Sequence, residues 1–234
     1  MAHILKDLQG ELVVSCQAAE ESPLYPTEII VALARAAQMG GAKAVRIEGV
    51  RNVAAVRGAV TVPVIGITKI AQPDSDVYIT PTVGDAQQLC EAGADIVAFD
   101  ATLRQRPFSV ADITSEIHRA GKIAMADIST LEEAREAMAS GADFVGTTLS
   151  GYTPYSPQVE NPDFGLMRAL AAARIPFAAE GRIWEPAEAR LALEFGATFV
   201  VVGSAITRPD VITRRFADAV AALRLDPEYN GEMK

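Results

Sequence analysis

The sequence contains little cysteine and histidine, and this scarcity excludes several kinds of site. Its 234 residues include two cysteines, Cys16 and Cys90, and two histidines. Two cysteines cannot build a disulfide framework, and a chain this poor in cysteine is typical of an intracellular protein. No spacing of cysteine, histidine and carboxylate residues fits a zinc site or another catalytic metal centre. We therefore expect both cysteines to pack in the core and no metal to be bound.

An excess of basic residues is also absent. The chain has 21 Lys and Arg residues against 30 Asp and Glu residues, a net charge of −9, whereas a protein that binds nucleic acid normally has a basic face. No apolar run approaches the ~18 residues of a membrane span, and the amino end lacks the layout of a secretory signal. We expect a cytoplasmic protein that binds neither nucleic acid nor a membrane.

One structural unit repeats along the whole chain. A short apolar run rich in β-branched residues ends on a polar residue, an Ala-rich helical stretch follows, and a Gly-Ala pair closes four of the units. This alternation is typical of strands joined by crossover helices in a parallel sheet. The eight predicted strands are residues 12–17, 44–49, 62–69, 96–102, 123–129, 144–151, 176–183 and 199–206.

Eight strand–helix units in a chain of this length fit a (β/α)8 barrel, which typically takes ~250 residues. An open, doubly wound sheet is the alternative, but it usually has fewer strands and often a G-x-G-x-x-G turn after the first, which is absent here. No linker or change of composition divides the chain. We predict an α/β protein: a single-domain (β/α)8 TIM barrel of the phosphate-binding type, over residues 1–234.

Polar residues stand at the carboxyl ends of most predicted strands, where such barrels form their reactive face. Lys69 shares the inward parity of Ile67, and Glu180 shares that of Ala178. A single residue of this kind can simply belong to a structural ion pair, but a core seldom buries so many ionisable groups without a chemical use. These candidates are Gln17, Arg46, Glu48, Lys69, Asp100, Asp127 and Glu180.

Two glycine-containing turns indicate phosphate recognition. Gly181 and Arg182 follow the seventh predicted strand, and Gly203 and Ser204 follow the eighth. Backbone N–H groups at such turns can approach an anion, and many barrels bind phosphate there. Arg208 stands four residues after Ser204. One such turn can be a plain tight turn, whereas two in adjacent units with a nearby arginine favour a phosphate site.

The motifs at these strand ends resemble those of the bacterial N-acetylmannosamine-6-phosphate 2-epimerases. The resemblance extends from the first strand to the last helix, in seven motifs that occur in the family's order. They are VSCQA (14–18), GITK with YITPT (66–69 and 78–82), FDAT (99–102), MADI (125–128), TTLSGYT (147–153), AEGRI (179–183) and VVGSAITRP (201–209).

The resemblance implies interconversion of N-acetylmannosamine 6-phosphate and N-acetylglucosamine 6-phosphate in the breakdown of sialic acids. It implies that Lys69 and Glu180 carry the proton transfers, and that Gln17, Arg46 and Asp127 hold the sugar and the catalytic pair. It also implies a homodimer, for which the final helix from Pro209 is a candidate contact surface. The stretch after Arg46 is less typical of the family, so the role of Glu48 stays open.

The chemistry of the candidate residues agrees with this activity. Inversion at C2 removes a proton next to the C1 aldehyde of the open-chain sugar and returns one to the opposite face. Glu180 and a lysine of lowered pKa, Lys69, can act on the two faces. No cofactor is expected, because the adjacent carbonyl is itself the electron sink.

Two other functions remain open from the residues alone. A barrel lysine with a lowered pKa also suits a Schiff-base nucleophile, so an aldolase would use Lys69 equally well. A non-catalytic sugar-phosphate sensor would retain only the phosphate turns. Retention of both Lys69 and Glu180 counts against the sensor, because binding alone needs no opposed acid and base.

Overall fold

The computed structural model describes residues 2–224, and within this range eight parallel strands close into one barrel in chain order. This confirms the predicted (β/α)8 barrel. The strands are β1 (Leu12–Cys16), β2 (Ala44–Glu48), β3 (Val64–Ile67), β4 (Ile96–Asp100), β5 (Ile123–Asp127), β6 (Phe144–Gly146), β7 (Phe177–Glu180) and β8 (Phe199–Val202).

Helices surround the barrel and connect its strands. A single 3-10 turn, Thr147–Leu149, follows β6. None of the helices within residues 2–224 is long and apolar enough to span a membrane. The α-helices are α1 (Ala2–Asp7), α2 (Thr27–Met39), α3 (Val50–Arg57), α4 (Val83–Glu91), α5 (Val110–Arg119), α6 (Leu131–Ala139), α7 (Phe164–Ala172), α8 (Pro186–Glu194), α9 (Ser204–Thr207) and α10 (Pro209–Arg224).

The observed strands end earlier than the apolar runs that predicted them. The run 144–151 continues for five residues beyond β6, and three of these form the 3-10 turn. The run 199–206 likewise continues into α9. Apolar residues such as Leu149 and Ile206 continue beyond the strands, so hydrophobicity alone did not mark the last residue of the sheet.

The Gly-Ala pairs end helices as the sequence predicts. Gly41, Gly93, Gly141 and Gly196 have φ values of +104°, +95°, +96° and +100°, in the left-handed region that closes a helix. At Gly93 a side chain is also excluded by space, because a Cβ atom would lie 2.9 Å from Cγ of Arg57. Each turn therefore leads directly from a helix into the next strand.

Apolar side chains fill both the barrel and the layer outside it. Inward-pointing residues alternate with outward-pointing ones along each strand, and the outward set packs beneath the helices. Cys16 and Cys90 both belong to the outer layer, which confirms that they are core residues. Inside the barrel the ring centroids of Phe144 and Phe199 lie 5.5 Å apart in an edge-to-face arrangement. A filled barrel leaves its mouth as the place for a site.

Candidate active site

A cavity of about 300 Å³ opens at the carboxyl ends of the strands. Its location agrees with the face that such barrels use for chemistry. Nine of the ten residues predicted for the site line this cavity, and the tenth, Asp127, lies behind Arg46. The lining consists of Ser15, Gln17, Arg46, Ile67, Lys69, Tyr78, Ile79, Thr148, Leu149, Tyr152, Glu180, Gly181, Arg182, Ile183, Trp184, Val201, Gly203, Ser204, Thr207 and Arg208.

Lys69 and Glu180 approach the cavity from opposite sides of the barrel. Lys69 lies two residues beyond β3, where it bridges to Ile79, and Glu180 is the last residue of β7. In the closed order β1 to β8, these two strands are separated by three others in either direction. The two side chains therefore reach a molecule in the cavity from opposed directions.

Arg46 joins the two acidic side chains of the site through its guanidinium. Its Nη2 donates to Oδ2 of Asp127 at 2.6 Å, and its Nη1 donates to Oε2 of Glu180 at 2.8 Å. The side chains of Arg46 and Asp127 are 1% and 0% exposed, and that of Glu180 is 13% exposed. Glu180 is thus the member of this buried network that reaches the cavity.

Thr148 and Gly146 help to fix the positions of the Asp127 and Glu180 carboxylates. The Thr148 hydroxyl lies 2.8 Å from Oδ1 of Asp127 and 3.1 Å from Oε2 of Glu180, so one donor serves both. A Cβ atom at Gly146 would lie 2.4 Å from Cε of Met125 and 3.0 Å from Oδ1 of Asp127. The end of β6 therefore needs glycine for the carboxylate of Asp127 to occupy its position.

Burial and neighbouring charges shift the pKa values of Glu180 and Lys69 toward each other. Burial raises the pKa of Glu180 to about 6, although the positive charge of Arg46 opposes this rise. Burial also lowers the pKa of Lys69, and the like charge of Arg46 adds to that effect. The pKa of Arg46 itself is raised, since Asp127 and Glu180 outweigh the effect of its burial. The rise at Glu180 and the fall at Lys69 both make it easier for the two groups to exchange protons during turnover.

Gln17 presents an amide oxygen without a hydrogen-bond partner. Its Nε2 donates to Oγ of Ser15 at 2.7 Å, which fixes the orientation of the amide at the cavity wall. Its Oε1 is buried, and no donor within residues 2–224 reaches it. A buried acceptor left open in this way suits a donor of a bound molecule.

Glu48 lies beside Lys69 but outside the wall of the main cavity. It ends β2 and borders a separate cavity between the starts of α2 and α3. Burial raises the pKa of Glu48, and the charge and backbone N–H of Lys69 partly offset this. Asp100, another strand-end candidate, does not line the cavity either: it is fully buried and accepts hydrogen bonds from Arg104 and Arg106.

The residues predicted for phosphate binding gather at the ends of β7 and β8. Gly203 precedes the four-residue helix α9 that Ser204 begins, and Gly181, with φ +109°, follows Glu180 directly. The guanidinium of Arg208 forms two bonds to Asp210, 3.0 Å from Nε to Oδ1 and 2.7 Å from Nη2 to Oδ2. The guanidinium of Arg182 contacts backbone carbonyls instead. The four turn residues thus lie together, while both arginines have protein partners.

The predicted site lacked several of the lining residues, among them Ser15, Tyr78, Thr148 and Tyr152. Ser15 shares the inward face of β1 with Val13, and the other three lie in turns after β3 and β6. The strand-end rule overlooked Thr148 because β6 ends on a glycine and the following 3-10 turn directs the side chain inward. All four stand within motifs of the sequence resemblance, which was the available signal. Within residues 2–224, no group of three or more metal-ligating side chains is placed to hold an ion.

The structure is a (β/α)8 barrel whose cavity brings Lys69 and Glu180 together beside two glycine-containing turns. The chain belongs to the family described as "Putative N-acetylmannosamine-6-phosphate epimerase" (NanE), whose model matches residues 30–222. One relative, from Clostridium perfringens, is named "Putative N-acetylmannosamine-6-phosphate 2-epimerase". That relative is 46% identical over 92% of this chain and 99% of its own length.

Three further proteins resemble this chain to different extents. The bifunctional enzyme NanE/NanK of Brucella melitensis is 52% identical over 93% of this chain, which spans 42% of that protein's length. The solved structure of the N-acetylmannosamine-6-phosphate 2-epimerase from Clostridium perfringens has a TM-score of 0.91 and 46% identity, covering 93% of this chain and 96% of that one. A thiamine phosphate pyrophosphorylase from Pyrococcus furiosus, at 20% identity and a TM-score of 0.57, shares the fold.

Proposed function

We propose that this protein interconverts N-acetylmannosamine 6-phosphate and N-acetylglucosamine 6-phosphate by removing a proton from C2 and returning one to the opposite face. The observation that carries this proposal is the placement of Lys69 and Glu180 on opposite sides of one cavity. Inversion by two groups requires a base on one face of the carbon and an acid on the other. Membership of the epimerase family supports the same substrate pair.

The reaction begins on the open-chain sugar, whose C1 aldehyde makes the C2 proton acidic. One of the two groups takes that proton, and the electron pair of the C–H bond moves through C2–C1 to the carbonyl oxygen, giving an enolate. The other group then delivers its proton to C2 from the opposite side, and the aldehyde is restored. Lys69 and Glu180 together carry one exchangeable proton before and after turnover, but that proton has moved from one group to the other. Exchange with solvent then restores the starting protonation states before the next turnover in the same direction.

Arg46 orients Glu180 and shifts the pKa of Lys69 in the direction that these proton transfers require. Its guanidinium fixes Glu180 through the 2.8 Å hydrogen bond and lowers the pKa of Lys69 by like charge. The pKa of Glu180, about 6, makes this carboxyl a base that a carbon acid can protonate and that still returns its proton near neutrality. Asp127 keeps Arg46 in place, and Gln17 offers its open amide oxygen to the sugar.

The phosphate provides binding energy remote from the reacting carbon. We assign its recognition to the turns at Gly181, Arg182, Gly203 and Ser204, with Arg208 at their edge. Backbone N–H groups at such turns are suited to a phosphate dianion. A fixed phosphate positions C2 between Lys69 and Glu180, so that reaction follows from orientation. The proposed reaction requires no cofactor, because the substrate's own carbonyl accepts the electron pair.

The assembly and location belong to the same proposal. We propose a cytoplasmic homodimer in which residues 1–234 form one domain. Exposed apolar side chains on α10 support a contact between copies, since Phe216 is 71% exposed and Val220 is 58% exposed. Light scattering of the purified protein and of a Phe216→Glu variant tests this part, and a wild-type protein of monomer mass would contradict it.

Proton NMR of the purified protein in D₂O tests the reaction itself. With N-acetylmannosamine 6-phosphate and no added metal or nucleotide, we expect the gluco epimer to appear and deuterium to enter C2. Binding without conversion or exchange would overturn the proposal in favour of a sensor. Cleavage into smaller fragments would favour an aldolase, which borohydride trapping of an adduct on Lys69 would then identify.

A further inference from the structure

Arg182 stands at an unusual point in the chain, two residues after Glu180 in a turn with left-handed backbone. Its φ is +58°, directly after Gly181 at +109°. A non-glycine residue in this region of φ is uncommon and strained, so its neighbours must hold it there. This backbone sends the side chain away from β8 and toward the loop that follows β6.

The guanidinium of Arg182 binds both ends of that loop. Residues 150–161, which follow the 3-10 turn and precede α7, form a segment that we call the strap. Nη1 of Arg182 donates to the carbonyl oxygen of Ser150 at 2.6 Å, and Nε donates to that of Asn161 at 3.0 Å. One planar group therefore closes an irregular segment whose ends are eleven residues apart in sequence.

Gly151 makes this close approach possible. A Cβ atom built there would lie 1.9 Å from Nη1 and 2.7 Å from Cζ of Arg182. The guanidinium consequently lies against the strap's own backbone, at a position where any side chain would displace it. Gly151 also has φ +81°, so glycine is favoured at this end of the strap both by the close guanidinium and by the backbone conformation.

The next residue, Tyr152, brings this contact to the cavity. Its ring centroid lies 5.9 Å from Cζ of Arg182, within the range of a cation–π contact. The residue lines the cavity and is 60% exposed, so its ring forms part of the mouth. On its far side the strap is held to α6, because Tyr155 donates to Oε1 of Glu133 at 2.8 Å.

We infer that Arg182 is a positioning residue whose guanidinium ties the strap to the turn after Glu180 and thereby fixes Tyr152 at the mouth of the cavity. This goes beyond phosphate recognition at that turn, because the donors of Arg182 that face the strap are occupied by carbonyl groups. The fork of an arginine is required, since the ammonium of a lysine cannot bind two separated carbonyls in one plane.

Hydrogen exchange of the protein without substrate tests the inference independently of any activity. In Arg182→Gln and Arg182→Lys we expect the hydrogen-bonded amides of the strap to exchange about tenfold faster or more, because the strap opens locally. These are the amides of Ser150, Gly151, Tyr152 and Ser156. The amides of β7 should keep their protection. Arg174→Gln is the matched control, since Arg174 is an exposed arginine with φ +56°. Unchanged exchange of the strap in Arg182→Gln would overturn the inference.

Combining Gly151→Ala with Arg182→Gln tests whether Arg182 acts through its hydrogen bonds to the strap or only through its positive charge. The new methyl group displaces the guanidinium while its charge stays, so Gly151→Ala should loosen the strap as Arg182→Gln does. The combination should then be no worse than the more severe single variant, as expected for two residues that act through one contact. Additive effects, or an intact strap in Gly151→Ala, would contradict the clamp.

The consequence for catalysis rests on the proposed epimerisation. A loosened strap should raise KM for the sugar phosphate about tenfold and change kcat less than about threefold, because the ring contacts bound substrate and transition state alike. Tyr152→Ala should show the same split between KM and kcat while leaving strap exchange largely unchanged. A wild-type protein without turnover would refute the proposed function alone, and the exchange data would still decide the role of Arg182.

Discussion

Nη1 of Arg46 lies 2.8 Å from Oε2 of Glu180, so the carboxylate that meets the cavity is held by a guanidinium that is almost completely buried. The same guanidinium binds Asp127 at 2.6 Å. Glu180, which must give and accept a proton, is thus kept in one orientation, and the buried guanidinium of Arg46 balances its negative charge. The proposed chemistry depends on this arrangement at every step.

Removal of the guanidinium should destabilise the protein strongly. Arg46→Met leaves two carboxylates buried without a counter-charge, and we expect a loss of about 3–5 kcal/mol in the free energy of unfolding at pH 8. Urea denaturation measures this loss. Arg190→Met, which removes an exposed arginine 3.6 Å from Glu194, should change stability by less than about 0.5 kcal/mol. Equal stability of Arg46→Met and wild type would show that the network is not balanced by Arg46.

Glu180 should make stability depend on pH in a defined direction. Its pKa in the folded protein, about 6, lies above the ~4.3 of an unfolded glutamate, so folding favours the protonated form. The stability that Glu180 contributes is therefore present below pH ~4.3 and is lost as the pH rises through 6.

Glu180→Gln mimics the protonated form and should reveal this loss. Relative to wild type, the variant should gain about 2 kcal/mol in unfolding free energy between pH 4.5 and pH 8. Denaturation at the two pH values, with the exposed Glu194→Gln as control, provides the comparison. A constant difference between Glu180→Gln and wild type would mean that Glu180 is ionised over the whole range.

The pH dependence of kcat/KM should reflect how many protons Lys69 and Glu180 carry together. The competent pair carries one proton, and binding of a second near pH 6 produces the acid limb of kcat/KM. Thr148→Val removes a hydroxyl that stabilises the ionised form of Glu180, so the pKa of Glu180 rises and the acid limb should move up by about one pH unit. An acid limb that stays in place would exclude Glu180 as its source.

Thr114→Val is the control for that substitution. The Thr114 hydroxyl is buried on the outer helix α5 and has no hydrogen-bond partner in the described part of the chain. The same change of side chain there should leave the pH profile of kcat/KM as it is in wild type. Movement of the limb in both variants would attribute it to a general loosening of the barrel.

Gly146 should tolerate no side chain. In Gly146→Ala the methyl group meets Met125 and the carboxylate of Asp127, so we expect about 1–3 kcal/mol of destabilisation and at least a tenfold fall in kcat. Thermal unfolding and turnover measure both. Gly84→Ala in α4, where a Cβ has only an ordinary contact at 3.7 Å, should be neutral or stabilising. Full activity of Gly146→Ala would show that Asp127 can move freely.

The sequence predicted the strands and the charged site residues for the same physical reason. Buried parallel strands need continuous apolar runs, and a charged residue at the end of such a run, like Lys69 or Glu180, is conspicuous. Thr148 carries no charge and follows a glycine, so the pattern of one strand could not indicate it. The pairing of Arg208 with Asp210 and the turn of Arg182 toward Ser150 depend on local backbone angles, which the strand–helix pattern does not specify.

Deuterium exchange at C2 of each epimer in D₂O, followed with single variants, shows which face of C2 Lys69 and Glu180 each serve. If the two groups act on opposite faces, Lys69→Ala and Glu180→Gln should each abolish interconversion, yet each should still exchange the C2 proton of one epimer without inverting it. The epimer that retains exchange should differ between the two variants. Exchange of both epimers by a single variant would contradict the account, because one group would then serve both faces.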